Sequence, residues 1–296
     1  MTPTQQPILL LGGTGRLGRE IAAVLYAHGF ETFALVRNMA RAGSIRGLAK
    51  HITKVRELRA DHFKGMDTVI SALGKSISPL DNGRYSFREV DEAINLAAIR
   101  LAVEAGVRKF IYVSVYHAEH LPHLEYCRVH TRVEEALAAS GMEYTIIKPV
   151  ALFSTFRDLY DMALKGRLLN LGKGACRTNP IHEKDVARLC VQAINNQRKR
   201  INAGGPVVYT RAEINDIIAR GAGRKKRLPV VPAWPVKAML PVVRLANVHL
   251  YHKLCFFLRV MEEDLIAPVE GHMRLEDYID MLSKSTRRYW DLTSGV

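Results

Sequence analysis

The chain has 296 residues, a hydrophobic fraction of 48% and a formal net charge of +14. That length suits one large α/β domain, or a nucleotide domain with a smaller appended lobe. The composition fits a globular protein, no apolar run reaches the roughly 20 residues that span a bilayer, and the charge favours anionic partners such as phosphates, nucleic acid or an acidic membrane surface.

In chain order, Met1 to Pro7 lack the basic and apolar regions of a signal peptide. Cys127, Cys176, Cys190 and Cys255 are widely separated and form no C-x-x-C pair. The expectation is a cytoplasmic protein with reduced, mostly buried thiols.

The apolar run Ile8-Leu9-Leu10-Leu11 and the amphipathic stretch Arg19 to His28 flank Gly12-Gly13-Thr14-Gly15-Arg16-Leu17-Gly18. This order predicts a strand turning tightly into a helix. Gly12 allows the bend, Gly15 lets the backbone approach a pyrophosphate, and Gly18 lets helix pack close on strand. The helix N-terminus adds free N–H groups and a partial positive charge for phosphates.

A second strand is predicted over Thr32 to Val36, ending at Arg37 and Asn38. A third is expected over Lys54 to Leu58, followed by Asp61, and a fourth over Asp67 to Ala72, stopping at Leu73-Gly74. A long helix follows from about Ser86 to Ala105, with Val90, Ile94, Ala98 and Leu101 at helical spacing and Gly106 placed to end it. A fifth strand (Phe110 to Val115), a helix (Glu125 to Ala139) and a sixth strand (Tyr144 to Ile147, before Lys148-Pro149) continue the alternation. Such a series predicts a doubly wound parallel sheet of Rossmann type, covered on both faces.

Beyond Pro149 the rhythm changes. An amphipathic helix, His182 to Asn195, is expected to pack back on the sheet. A short strand (Val207 to Tyr209) precedes Thr210, a suitable N-cap for a helix starting near Arg211. A short terminal helix is expected over Arg274 to Leu282. The organisation read from this is a nucleotide-binding domain over residues 1–208, with core 7–150 and residues 180–208 returning to the sheet. Residues 209–296 form a smaller, mostly helical lobe.

In a dinucleotide fold the end of the second strand meets the adenosine ribose. An acidic residue there binds the 2′-hydroxyl and repels a 2′-phosphate. Arg37 holds that position here, followed by Asn38. A guanidinium suits a phosphate, so NADP(H) is favoured over NAD(H), with Arg16 a second positive contact. His117, His120 and His123 form an H-x-x-H-x-x-H run, but Pro122 interrupts it and no cysteine supports it. They are expected as loop histidines near a substrate mouth, with no metal.

The glycine turn, Ser71-Ala72-Leu73-Gly74, the helix Asp91 to Ala105 and the run Val107 to Ser114 resemble the atypical short-chain dehydrogenase/reductase family, in its NmrA-like, NAD(P)H-binding branch. Tyr144 to Pro149, Asn179-Pro180-Ile181-His182, Asp185-Val186-Ala187 and Gly204-Gly205-Pro206 agree with it. The resemblance runs over nearly the whole chain and is more specific for fold and cofactor than for substrate. It implies an extended Rossmann sheet with the nicotinamide near the ends of the fourth and fifth strands. Leu73, Gly74, Ser114, Asp61 and Pro149 then join the cofactor-binding set, Pro149 bordering the nicotinamide.

The family also implies a catalytic Tyr-x-x-x-Lys on the helix after the fifth strand. Here Tyr126 is present, but the lysine position is His130. Four-residue spacing puts both on one helix face with Val133 and Leu137, turned towards the sheet. Tyr126 is thus the candidate proton donor and His130 its ribose-side partner. A neutral histidine supplies no permanent charge, so a non-catalytic, redox-sensing role known in NmrA-like proteins is the rival to an oxidoreductase acting on a small hydrophobic substrate.

Between Asp216 and Glu262 there is no acidic residue, whereas Arg220, Arg224, Lys225, Lys226, Arg227, Lys237, Arg244, Lys253 and Arg259 all lie there. From Trp234 to Val260 these cations interrupt an apolar stretch. One reading is a buried or substrate-covering helix pair whose basic side chains snorkel to water. The other is a peripheral surface touching anionic membrane. Spacer prolines favour the first. Nucleic acid is disfavoured, because no reader module or interleaved aromatics accompany the charge.

Overall fold

The computed structural model describes residues 7–36, 48–51, 58–78, 81 and 85–293. The chain divides into two compact units. The first comprises Met1–Ser76, Gly83–Pro149 and Glu183–Ala203, and the second Ile77–Asn82, Val150–His182 and Gly204–Val296. Residues 150–182, assigned from sequence to the nucleotide domain, therefore group with the C-terminal residues.

The first unit holds a seven-stranded sheet in the order β3-β2-β1-β4-β5-β6-β9. Its strands are β1 (Ile8–Leu11), β2 (Thr32–Leu35), β3 (Leu48–His51), β4 (Thr68–Ser71), β5 (Lys109–Val113), β6 (Glu143–Pro149) and β9 (Arg200–Ala203). Every pairing is parallel. Strands buried on both faces carry near-continuous apolar runs, as Ile8 to Leu11 do. The reversal of strand order between β1 and β4 is the Rossmann switch point, where ligands bind beyond the strand carboxyl ends.

On one face, Leu9, Leu11, Val69, Phe110, Tyr112 and Ile146 pack with Ala98, Ala102, Val133 and Leu137. The last four come from α2 (Ala93–Glu104) and α3 (Glu125–Ala138). Successive strand residues alternate sides, so Ile8 and Leu10 turn to the opposite face. There α1 (Arg16–Ala27) packs against α5 (Glu183–Gln192). Gly106, at φ +71°, ends the turn after α2 as expected.

Three strands differ from the elements expected. The strand paired in register with β2 is Leu48–His51; of the expected strand Lys54 to Leu58, residues 54–57 lie outside the described residues and Leu58 is irregular. The edge strand Arg200–Ala203 has no counterpart among the expected strands, because it begins with a charge and alternates weakly. The short strand near Tyr209 is Tyr209–Thr210, not Val207 to Tyr209.

The second unit has its own core, formed by Phe153, Phe156, Tyr160, Ile214, Ile218 and Ile279 among others. These come from α4 (Arg157–Leu164) and the turn just before it, from α6 (Arg211–Gly221) and from α9 (Leu275–Thr293). Two short sheets brace it: β8 (Arg177–Thr178) runs antiparallel to β10 (Tyr209–Thr210), and β7 (Asn170–Leu171) runs parallel to β11 (Val230–Val231). Thr210 caps α6 as expected, in a reciprocal capping box with Glu213. The terminal helix extends well beyond Leu282. Two further helices are α7 (Trp234–Ala246) and α8 (Val248–Met261).

Candidate functional site

At the end of β1, Gly12 adopts φ +83°, and a Cβ there would lie 2.7 Å from the Ala72 carbonyl oxygen. A Cβ on Gly18 would lie 2.1 Å from the Gly12 carbonyl oxygen. Both positions therefore exclude any side chain. Gly15 differs. Its N–H donates to the Gly12 carbonyl at 2.9 Å, and a Cβ on it would meet only that oxygen, at 3.3 Å. The outward side of Gly15 is open backbone.

Gly15 is also the N-cap of α1, with no side-chain cap and no acidic residue in the first turn. The amides of Arg16, Leu17 and Gly18 have no acceptor within the helix. The Arg16 side chain is exposed and Thr14 is half-buried. An open glycine, oriented amides and the positive end of a helix fit a diphosphate. Leu11 and Ser71 are paired in the sheet, and the Ala72 N–H donates to the Leu11 carbonyl at 3.0 Å. Leu73 and Gly74 thus leave β4 directly beside the glycine turn.

Ser114 and Pro149 stand at the carboxyl ends of β5 and β6, on the same edge of the sheet. The Ser114 hydroxyl donates to Glu134 Oε1 at 2.5 Å. Pro149 is buried, and its carbonyl accepts the Tyr116 N–H at 3.0 Å. Asp61 is exposed in a short 3₁₀ turn, and a hydrogen bond from Lys64 at 2.7 Å holds its carboxyl below the usual range. Arg37 and Asn38 lie outside the described residues.

Tyr126 and His130 do share the inward face of α3, with ring centroids 4.7 Å apart. Tyr126 is half-buried and packs on Phe87, with centroids 5.0 Å apart. Burial first, then the nearby Asp91 carboxyl, raises its hydroxyl well above the ordinary phenol value. Tyr126 holds its proton firmly.

His130 is buried and belongs to a polar chain that the sequence did not reveal. Its Nδ1 lies 2.6 Å from the Tyr112 hydroxyl, and its Nε2 lies 3.6 Å from Asp91 Oδ1. Burial raises Tyr112 far above its usual value, so that hydroxyl keeps its proton and donates to Nδ1. The His130 hydrogen then sits on Nε2, facing Asp91. Burial, with the nearby Lys148 charge, lowers the imidazole to about 3, so it is neutral.

Asp91 lies in a π-helical turn, Arg88–Glu92, that leads into α2. Single π turns often mark functional positions. Burial pushes its carboxyl up to about 8. Both oxygens accept the Lys75 backbone N–H at 3.2 Å. Behind it, Asn95 Nδ2 donates to the Asp91 carbonyl at 2.7 Å, and the Ser71 hydroxyl donates to Asn95 Oδ1 at 2.6 Å. Ser71, Asn95 and Asp91 thereby fix the turn through Leu73, Gly74 and Lys75. The signal available in the sequence was Asp91-x-x-x-Asn95, two polar residues on the face that also carries Ala98.

A second buried cluster surrounds Lys148 of β6. Its fully buried ammonium donates to Glu119 Oε2 at 2.6 Å and to Glu134 Oε2 at 3.0 Å. Arg200 reaches Glu119 Oε1 at 3.2 Å. The cation of this region therefore comes from a strand, where an apolar pattern concealed it, and two carboxylates hold it. Cys127 nearby is buried, which pushes its thiol up to about 12 and leaves it unreactive. His117 and His120 stack with centroids 4.2 Å apart.

A family model described as NAD(P)H-binding matches residues 12–197, the span that runs from the glycine turn past α5. The chain belongs to this NAD(P)H-binding family. It is 25% identical to the photosystem II assembly factor Ycf39 of Guillardia theta, over 76% of this chain and 73% of that protein. It is 26% identical to the chloroplastic divinyl chlorophyllide a 8-vinyl-reductase of Oryza sativa subsp. indica, over 82% of this chain and 65% of the reductase. Among solved structures, the NADPH-dependent quinone oxidoreductase QOR2 of Escherichia coli, complexed with NADPH, superposes with a TM-score of 0.69 at 17% identity. That match covers 93% of this chain and 99% of QOR2, and shows a shared fold. These similar proteins thus include a reductase, an oxidoreductase and an assembly factor.

Proposed function

We propose that the protein is an NADP(H)-dependent oxidoreductase that passes hydride to a hydrophobic small molecule, an enone, a quinone or a similar compound. The observation that carries this reading is the open amide face at Gly15, beside the turn that Asp91 fixes through Leu73 and Gly74. The bound coenzyme supplies hydride. The first-turn amides and Arg16 hold its diphosphate, and Arg37 with Asn38 takes the 2′-phosphate. Asp61, Leu73, Gly74, Ser114 and Pro149 line the rest of its length.

Tyr126 is the proton donor to the reduced product. Its hydroxyl carries the proton before reaction, but burial makes it a weak acid, so transfer has to be driven by the negative charge that hydride addition develops on the substrate. His130 positions this part of α3 through Tyr112 and Asp91. Support for a hydrophobic substrate comes from two relatives whose names specify a quinone and a chlorophyllide.

One observation favours a second reading, a dinucleotide-binding sensor without turnover. The residue in place of the usual lysine is neutral, is hydrogen-bonded to Tyr112 and stands 3.6 Å from Asp91, and a relative is an assembly factor. Titration with NADPH and NADH, followed by NADPH oxidation against enones, quinones and tetrapyrroles, separates the two. Consumption of NADPH supports the oxidoreductase, and tight binding without consumption supports the sensor. Absence of coenzyme binding rejects both.

A further inference from the structure

The helix hairpin α7–α8 of the second unit is asymmetric. α8 buries Lys253, Phe256 and Leu258, whereas α7 buries no residue at all. The expected buried helix pair is thus only half present, and Lys253 does not snorkel. Its ammonium donates to the Ser78 carbonyl at 2.9 Å and the Asp81 carbonyl at 2.7 Å. Arg211 Nη2 also donates to the Val260 carbonyl at 2.7 Å, tying the end of α8 to α6. A buried cation with oxygen partners is an anchor. α8 fixes the hairpin, and α7 is displayed on it.

What α7 displays is apolar. Leu245 is 90% exposed, Trp234 70%, Val242 65% and Met239 59%. At about 100° per residue, these four together with Ala238 and Ala246 fall in one continuous arc of about 140°. Val236, Leu240 and Val243 lie outside that arc and are half-buried. A soluble helix normally turns its apolar stripe inward; this one turns it outward. A contiguous exposed apolar face marks an interaction site.

The hairpin segment itself is basic, while Glu262 closes its end and Lys225, Lys226 and Arg227 share a cleft with Glu213, Asp216 and Glu276. No acidic residue occurs between Asp216 and Glu262. Lys225, Lys226 and Arg227, just ahead of the hairpin, are exposed. Lys237 and Arg244 stand beside the apolar arc, Lys237 pairing with Glu262 at 2.5 Å and Arg244 lying over the Tyr251 ring at 5.6 Å. A second copy of the chain seated on this face would set these cations against one another. An apolar arc with an exposed Trp, bordered by cations, matches a helix lying in the interface of an anionic bilayer. Among the described residues no helix is long and apolar enough to cross a membrane.

We infer that the outward face of α7 seats the protein on the surface of an anionic phospholipid membrane. Trp234, Val242 and Leu245 enter the acyl boundary, and Lys225, Lys226 and Arg227 meet the headgroups. This conclusion stands on the second unit alone and does not depend on coenzyme binding or turnover.

The test uses the full chain with unilamellar vesicles of phosphatidylcholine, with or without phosphatidylglycerol. Sedimentation should recover the protein with the anionic vesicles and leave most of it free with the neutral ones. The Leu245→Asp variant, altered at a nearly fully exposed position, should melt as the parent does and partition at least about tenfold less. Lys225→Glu combined with Lys226→Glu should weaken partitioning by about tenfold or more. In a Trp290→Phe background, Trp234 fluorescence should shift to the blue on binding and be quenched by brominated lipid. No binding to anionic vesicles overturns the inference. So does binding that Leu245→Asp leaves unchanged, since net charge alone then explains it. Self-association abolished by Leu245→Asp, without vesicle binding, assigns the face to a second copy and overturns it too.

Discussion

His130 and Asp91 face each other inside the first unit, with Nε2 3.6 Å from Oδ1 and both side chains buried. Burial drives each group towards its neutral form, the carboxyl up to about 8 and the imidazole down to about 3. At pH 7 they form a neutral pair, and the acid retains its proton.

This pair makes stability depend on pH from both sides. Between 3.8 and about 8 the folded Asp91 holds a proton that the unfolded chain releases, so its contribution is lost as pH rises through that window. Asp91→Asn should flatten this slope and gain thermal stability relative to the parent from pH 5 to 8. Between 6.5 and about 3 the unfolded His130 takes up a proton that the folded one refuses, so stability falls as pH falls. His130→Gln, which keeps an acceptor for Tyr112, should flatten that acid limb. Each slope is at most about 1.4 kcal/mol per pH unit, and melting curves across pH 3 to 9 for the three proteins measure it.

Gly15 and Gly18 should separate binding from folding. A Cβ on Gly18 strikes the Gly12 carbonyl at 2.1 Å, so Gly18→Ala should lower stability by about 1–3 kcal/mol in urea unfolding. Gly15→Ala meets only one oxygen, at 3.3 Å, and should fold normally. It should nevertheless weaken NADPH binding at least tenfold, because its methyl occupies the approach of the diphosphate. Unchanged calorimetric affinity in Gly15→Ala would exclude this turn as the diphosphate site.

Arg37→Ala should reduce the preference for NADPH over NADH by about tenfold or more, while NADH affinity stays within twofold. A charge-assisted, bidentate phosphate contact has that worth. Parallel titrations with the two coenzymes give the ratio, and an unchanged ratio removes Arg37 from the 2′-phosphate site.

Tyr126→Phe removes a hydroxyl and little packing area, since the ring contacts with Phe87 and His130 remain. Coenzyme affinity should be preserved and kcat on an identified substrate should fall about 10²-fold or more. Full turnover by this variant would end its assignment as proton donor.

Much of this could be read from residue order. Seven residues from Gly12 to Gly18 between an apolar run and an amphipathic one specify the tight strand-to-helix turn, and Thr210 three residues before Glu213 specifies a helix start. The i, i+4 spacing put Tyr126 and His130 on one helix face, where their rings lie 4.7 Å apart and His130 reaches Tyr112 of the sheet. What stayed hidden were polar residues carried in apolar patterns. Lys148 lies within a buried strand, Lys253 within an apolar helix, and Asp91 at a helix start where acids are commonplace. Their roles depend on partners 14 to 175 residues away in sequence, which local periodicity does not report. The edge strand Arg200–Ala203 was missed for a related reason: its place is set by pairing with β6 rather than by its own composition.

That edge strand has a consequence for biosynthesis. After Pro149 the chain leaves the first unit, builds residues 150–182 elsewhere, and only then returns through Glu183 to supply β9. A nascent polypeptide emerging from the ribosome therefore carries β6 with a bare flank of backbone donors and acceptors until Ala203 has cleared the exit tunnel. Translational pausing within that interval leaves the domain open to mispairing, and this is the stage at which a chaperone would be needed.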